Sequence, residues 1–333
     1  MTSLTLEEVA KRAGVSRSTV SRVINHQPSV SEEVRQRVWE VIRQTDYHPN
    51  LAARSLASQR SNVIGLVIPM GVSRLFVDPF FPILIQGVTS TCNAKDYSVM
   101  LWLAEPEYER RMISQIFSNG LIGGVIIASM LMDDSLVSAL SASTLPFTLV
   151  GRHPTLDFVS YVDADNHSGA REAVARLLRT GRKRVATITG PQNMIAGYDR
   201  LQGYLAALRE RGIPFAPELV AYSDFSEMGG YEATKKLILA HPDGIFAASD
   251  SMAVGALRAL REARLRVPHD VALIGFDDIP FAAHMEPPLT TIRQPIFQIG
   301  AVAAENLIQH IEDGSSQPSR LILPTELVIR SSC

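Results

Sequence analysis

Between Thr5 and Ile42, apolar side chains recur at intervals of three and four residues. Leu6, Val9, Ala10 and Ala13 make one stripe, Val20, Val23 and Ile24 a second, and Val34, Val38, Val41 and Ile42 a third. Each stripe is the buried face of an amphipathic helix. Thr5 is placed to cap the first helix, Glu7 and Glu8 fall in its first turn, and Gly14 is placed to end it. Ser16 opens the second helix after a tight turn through Gly14, and the third begins after Ser31. Three short helices, the first two joined by a glycine turn, predict a helix-turn-helix bundle over residues 1–48.

After Asn62 the pattern changes to continuous apolar runs separated by amphipathic stretches. The runs are residues 63–69, 97–103, 123–129 and 146–151, then 184–190, 219–222, 244–249 and 271–276. Uninterrupted apolar strands of this kind belong to parallel sheets covered on both faces. Residues 158–166 (FVSYVDADN) break the rhythm between the two groups of four. The prediction is therefore two doubly wound α/β subdomains with a crossover near Val162. A second crossover is expected in the proline-bracketed stretch 287–295, and residues 321–330 (LILPTELVIR) would form a final strand pair. The resulting division of 62–333 is a first subdomain of about 62–161 plus 293–320 and a second of about 162–292 plus 321–333.

Charge is informative only when the chain is divided. The whole carries a formal −2, yet residues 1–60 hold nine Lys and Arg against six Asp and Glu. The basic excess lies on the helical head, where a polyanion would be met. If Val20, Val23 and Ile24 face inward, then Arg17, Ser18, Ser21 and Arg22 face outward near the helix N-terminus. That is the end a recognition helix presents to base edges in the major groove. Arginine forks suit guanine, and the hydroxyls of Ser16, Thr19 and Ser21 suit phosphates. Residues 49–61 are too short and too rich in Ala and Ser to make a stable helix alone. They are expected to act as a linker whose short helix, capped by Asn50, needs outside support.

Ligands in doubly wound sheets bind beyond the carboxyl ends of the strands. Asp78, Phe80 and Phe81 follow the first strand, Arg152 the fourth, and Arg200, Phe225, Asp250 and Asp277 follow strands of the second group. Guanidinium and carboxylate groups clamp paired hydroxyls, and aromatic faces stack on the C–H surface of a ring, so the set describes a cleft for a polyhydroxylated molecule. Asp250 is also well placed to cap a helix. Enzyme motifs such as G-x-S-x-G, H-E-x-x-H, a P-loop or G-x-G-x-x-G are not found, and Asp277–Asp278 are explained by helix capping and ligand contact rather than catalysis. No metal and no cofactor are expected. Cys92 and Cys333 are the only cysteines, no export signal or membrane span is recognised, and a cytoplasmic protein is expected.

The segments TLEEVAKRAGVSRSTVSRVIN, VSEEVRQRVWEVI, YHPN and AARSLAS resemble the DNA-binding half of the lactose-repressor family of bacterial regulators. The resemblance implies that the second helix reads operator DNA through Arg17, Ser18 and Arg22. It implies a hinge helix that orders over the minor groove, with Leu56 wedging between base steps. The DNA-contacting set extends to Thr5, Asn25 and Tyr47, and to Asn50 and Ala53 in the hinge. The motifs DPFF, DRLQGY, SDSMAVGALRAL, IGFDD and PPLTTIRQP resemble the same family's core, which implies a type I periplasmic-binding-protein fold. Carried across, Arg200, Phe225, Asp277 and Gln294 match effector-contacting positions, and Phe80 and Phe81 line the cleft. Met194 stands where purine-responsive relatives place an arginine, so a purine effector is disfavoured. Ser249 replaces an asparagine of the lactose repressor, and the chain stops without a tetramerising helix, so a homodimer is expected. The function implied is a repressor that answers to a sugar; the rival reading is a sugar-binding protein of a transport system.

Overall fold

The computed structural model describes residues 5–24, 27, 29–45, 47, 61–69, 72–102, 120–128, 131–132, 135–314 and 317–333. Asn25, Asn50, Ala53 and Leu56 lie outside the described residues. The chain divides into two compact units, Met1–Ser61 and Asn62–Cys333.

The head is built from α1 (Leu6–Ala13), α2 (Arg17–Ile24) and α3 (Glu32–Thr45). Its first helix opens on a reciprocal cap: the Glu8 N–H donates to the Thr5 hydroxyl at 3.3 Å, and the Thr5 N–H donates to the Glu8 carboxylate at 2.7 Å. Gly14 ends it at φ +66°, a left-handed conformation that costs a residue without a Cβ nothing. Ser16 then accepts the Thr19 N–H at 3.1 Å and starts α2. The three stripes meet in one core through Val9, Ala13, Val20, Val23, Val38 and Ile42. Tyr47 joins that core and is almost wholly buried. Its ring therefore packs the bundle.

The second unit carries strands β1 (Val63–Val67), β2 (Ser98–Trp102), β3 (Gly124–Ala128), β4 (Phe147–Val150), β5 (Ser160–Ala164), β6 (Val185–Thr189) and β7 (Val220–Tyr222). They are followed by β8 (Gly244–Ala247), β9 (Ala272–Asp277), β10 (Thr290–Arg293), β11 (Arg320–Leu323) and β12 (Glu326–Val328). One sheet runs β11-β5-β4-β3-β1-β2, all parallel, and the other runs β12-β10-β9-β8-β6-β7 with only β12 antiparallel. Helices α4 (Val72–Val77), α5 (Phe80–Ala94), α6 (Ser135–Ser141) and α11 (Ile296–Asp313) cover the first sheet. Helices α7 (Asn166–Arg179), α8 (Ile195–Arg209), α9 (Glu227–Ile238) and α10 (Asp250–Glu262) cover the second. The inner strands β3, β6, β8 and β9 are buried along their whole length, which is why they read as unbroken apolar runs. Helices α5 and α11 touch backbone to backbone: a Cβ on Gly87 would meet the Phe297 carbonyl oxygen at 2.1 Å. That contact sets how closely α5 lies on α11, two turns along from Phe80 and Phe81.

The connections differ from expectation in three places. Residues 160–164 are a full strand between β4 and β11, and the chain changes sheet only after it. Its polar residues hid it, but Asp163 accepts the Ala164 backbone N–H and the Asn166 side-chain amide, and Ser160 accepts the Ser319 N–H. The stretch 287–295 likewise encloses β10, whose buried Thr290 and Thr291 spend their hydroxyls on the Arg330 N–H and on Asp250. Finally, β11 and β12 do not pair; they end in different sheets, so the third crossing between subdomains falls near Pro324, between the two strands, and not ahead of both. The first sheet therefore takes residues through Ala164 and again up to Leu323, rather than stopping at 161 and 320. A strand's partner is set by where the chain returns, and local composition does not record that.

Candidate DNA-reading face and ligand cleft

On the head, Ser16, Arg17, Ser18 and Arg22 are exposed, while Thr19 and Ser21 are half-buried. The hydroxyl of Ser16 lies 2.7 Å from that of Ser18 and 2.8 Å from that of Thr19. Arg17 rests on Glu7 of the preceding helix at 3.1 Å, both side chains largely in solvent, a pairing weak enough to be exchanged for a phosphate or a base. Thr5 is committed to its cap but remains exposed. A basic, hydroxyl-rich patch at the start of α2 is what a polyanion-reading helix requires.

In the core, a cleft of about 210 Å³ opens at the carboxyl ends of the strands. Asp78, Phe80 and Phe81 enter it from the first subdomain, and Arg200, Phe225, Asp277 and Gln294 from the second. Phe80 and Phe81 meet edge to face with centroids 5.3 Å apart, and the packing buries Phe81 while Phe80 forms the open wall. Asp78 serves as a turn as well: its Oδ1 accepts the Phe80 N–H at 3.0 Å where α5 begins.

Arg200 is only 4% exposed. Its Nε donates to Asn166 Oδ1 at 2.9 Å, and one terminal nitrogen donates to the Ala248 carbonyl at 2.5 Å and to Asp277 Oδ1 at 3.3 Å. The guanidinium carbon sits 3.7 Å from the Phe276 ring centroid and 5.6 Å from that of Phe225. Gln294 adds a 2.6 Å donation to the same Asp277 oxygen. Burial pushes the Asp277 carboxyl up to about 7, against the pull of Arg200 and with help from Asp78. Two backbone choices hold this arrangement. Phe225 takes φ +67°, rare for a bulky residue, and its ring lies where any Cβ on Gly190 would be, at 2.1 Å. Asp277 ends β9 at φ +120° and so turns into the cleft.

Two expected ligand contacts sit elsewhere. Asp250 is fully buried and outside the cleft lining; it accepts the Thr291 hydroxyl at 2.6 Å and the Ile279 N–H at 3.0 Å. It pins the start of α10 beneath the loop carrying Asp277. Ser249 is the cap of that helix, donated to by the Met252 N–H at 3.2 Å, so Asp250 is its first helical residue and not its cap. Asp278 caps nothing; Arg293 and Arg330 hold it at 2.8 and 2.6 Å. Arg152 lines a smaller adjoining cavity of about 70 Å³ and not the main cleft. Its guanidinium makes a two-pronged pair with Asp199 of α8 and reaches Asp163 at 3.3 Å, joining the two subdomains. The hydrogen bond to Asp199 leads the forces that raise the Arg152 pKa.

Sequence reasoning missed Asn166, Asp163, Asp199 and Phe276, which hold the two arginines. It also missed Asp224, Glu227 and Phe281 of the cleft wall. Asp224 lies in the loop just past β7 and Glu227 opens the helix that follows, so the strand-end rule that found Phe225 reaches them too. Asp199 and Phe276 left no local trace. Among the described residues no three His, Cys, Asp or Glu side chains gather to hold a metal, and no helix is long and apolar enough to cross a membrane.

A helix-turn-helix head carried on two crossover-linked parallel-sheet subdomains with a polar and aromatic cleft defines a ligand-binding regulator. The comparisons agree part by part. The model for bacterial regulatory proteins of the lacI family matches residues 5–50, and that for a periplasmic binding protein-like domain matches 174–333. The chain is 40% identical over 332 residues to the HTH-type transcriptional regulator CelR of Thermobifida fusca, covering 98% of each. It is 34% identical over 333 residues to the ribose operon repressor of Escherichia coli (strain K12), covering 98% of this chain and 99% of that one. A solved CelR–cellobiose complex matches with TM-score 0.80 at 38% identity over 99% of this chain and 100% of that one. The lac repressor dimer bound to operator and the anti-inducer ONPF matches with TM-score 0.87 at 27% identity over 99% of each. The chain belongs to the LacI family of bacterial transcription regulators.

Proposed function

We propose that this protein represses transcription by binding, as a homodimer in the cytoplasm, a pseudo-palindromic operator through the exposed face of α2, and that a carbohydrate in the Arg200 cleft alters that grip. The observation that carries the effector half is the buried Arg200–Asp277–Gln294 cluster, walled by Phe80 and Phe225, on the same chain as a DNA-reading head. Fixed forks and carboxylates match vicinal hydroxyls, and the aromatic walls match sugar C–H faces. Relatives named for cellobiose and ribose support the ligand class, and the lac repressor dimer on its operator supports the assembly and the DNA. A transport-system binding protein has no use for the head, and the full-length relatives are regulators. Ligand control then requires only that the sugar bind the two states of the core with different affinity.

The test is selection of duplexes from a random oligonucleotide pool at low ionic strength, followed by titration of mono- and disaccharides against the selected complex. Arg22→Ala should cost roughly 1–3 kcal/mol of specific binding and relax one base position. Phe225→Ala should keep operator affinity but lose the sugar response. A chain that retains no duplex, or a sugar response untouched by Phe225→Ala, overturns the respective half of the proposal.

A further inference from the structure

We propose that the cleft selects its effector by charge, accepting uncharged sugars and rejecting sugar phosphates and sugar acids. The inference rests on the carbohydrate reading above and narrows it to one chemical class. Among the described residues the walls carry the carboxyl groups of Asp78, Asp224, Glu227 and Asp277 against a single guanidinium, that of Arg200, which Asp277 already pairs. Arg200 is already partly committed: its Nε donates to Asn166 and one terminal nitrogen to the Ala248 carbonyl and to Asp277, which lies beside it as a counter-charge. A second cation, Arg152 in the adjoining cavity, is held between Asp199 and Asp163. An incoming phosphate or carboxylate would meet like charge on several sides in a partly dry site, where such repulsion is strong.

Helix N-termini also point at the cleft and would ordinarily attract an anion. Here the protein has supplied its own acceptors. The Phe80 N–H of α5 donates to Asp78, the Gly229 N–H of α9 to Ser226, and the Met252 N–H of α10 to Ser249. Asp224 in turn accepts from both the N–H and the hydroxyl of Ser226. The start of α8 has no side-chain cap, and the residue before it is Met194, not a cation. An uncharged polyol fits the same groups well, since its hydroxyls donate to carboxylates and its C–H faces stack on Phe80 and Phe225.

Calorimetry with matched pairs tests the rule: glucose and glucose 6-phosphate, ribose and ribose 5-phosphate, galactose and galacturonate, with cellobiose as a further uncharged ligand. At least one uncharged sugar should bind, and its charged counterpart should bind about 100-fold more weakly or not at all. Glu227→Lys inverts an exposed wall charge without disturbing packed residues. It should narrow that gap about tenfold. A charged sugar that binds as tightly as its uncharged counterpart overturns the charge rule while leaving the carbohydrate reading intact. A gap unmoved by Glu227→Lys also overturns it, since rejection would then be steric. Failure of every sugar in the panel overturns the carbohydrate reading itself, and the inference with it.

Discussion

Removing the Arg152 guanidinium should weaken both the fold of the core and its hold on the effector, by an amount the structure sets. Arg152 leaves the end of β4 in one subdomain and grips Asp199 of α8 in the other, one residue from Arg200. Asp163 and Asp199 are each only 6% exposed at the side chain, so Arg152→Ala leaves two carboxylates facing one another without their cation. Breaking a fully buried pair this way costs roughly 3–5 kcal/mol. Arg152 keeps 30% of its side-chain surface in water, so solvent screening brings the figure to about 2 kcal/mol. That energy acts between subdomains, so it biases how they close over the cleft. About 2 kcal/mol corresponds to roughly 30-fold in a two-state equilibrium, which is the ceiling on the loss of effector affinity. Asp199→Ala should cost less, because Asp163 still holds the arginine, and the double variant should cost less than the two singles together. Urea unfolding of the four proteins with calorimetric titration of the effector measures both quantities. The reasoning is refuted if Arg152→Ala loses under about 0.5 kcal/mol, or if the double variant is additive to within about 0.3 kcal/mol.

Other consequences are equally direct. Gly190→Ala puts a methyl group where the Phe225 ring lies, at 2.1 Å, and should cost at least about tenfold in effector affinity with operator binding kept; an unchanged titration would show that the ring is not held there for the ligand. Gly14→Ala meets nothing within 4 Å but must adopt φ +66°, so the head alone should lose about 1–2 kcal/mol, read by the thermal melting of its helices with the core transition unmoved. Stability should also fall as pH rises from about 4 to about 7. Burial raises Asp277 to about 7 and raises Asp163 and Asp250 as well, so the folded chain holds protons there that the unfolded chain has released. Asp270, lowered by its hydrogen bonds with Arg266, has the opposite sign, and its contribution is lost only as pH falls below the ordinary carboxylate range. A core urea midpoint higher at pH 7.5 than at 5.5 would contradict the assignment.

The reading of Arg200 illustrates how a site residue becomes legible. An arginine on the inward face of the YDRLQGY stretch has to be paired, so its importance could be read before its partners were known. The partners could not. Asp277 and Gln294 are 77 and 94 residues away along the chain, and Phe276, on which the guanidinium stacks, reads as an ordinary core strand residue. Arg152 and Asp250 mark the limit of the strand-end rule. The rule says where a residue leaves the sheet; it does not say whether the side chain then turns to the ligand, to a neighbouring subdomain or to the loop beneath.

What the amino-acid order settled alone is whatever depends on near neighbours. The three helical stripes of the head, the Thr5 cap, the Gly14 stop, the outward turn of Arg17, Ser18 and Arg22, and the apolar inner strands all follow from spacings of two, three or four residues. What tertiary structure decided is whatever depends on the chain coming back. The strand at 160–164, the separation of β11 from β12, the burial of Tyr47, and the capture of Arg152 by Asp199 each require a partner distant in sequence. Polar residues hid those elements because, taken one stretch at a time, a buried carboxylate or threonine looks misplaced; its hydrogen-bond partner arrives only when the fold closes.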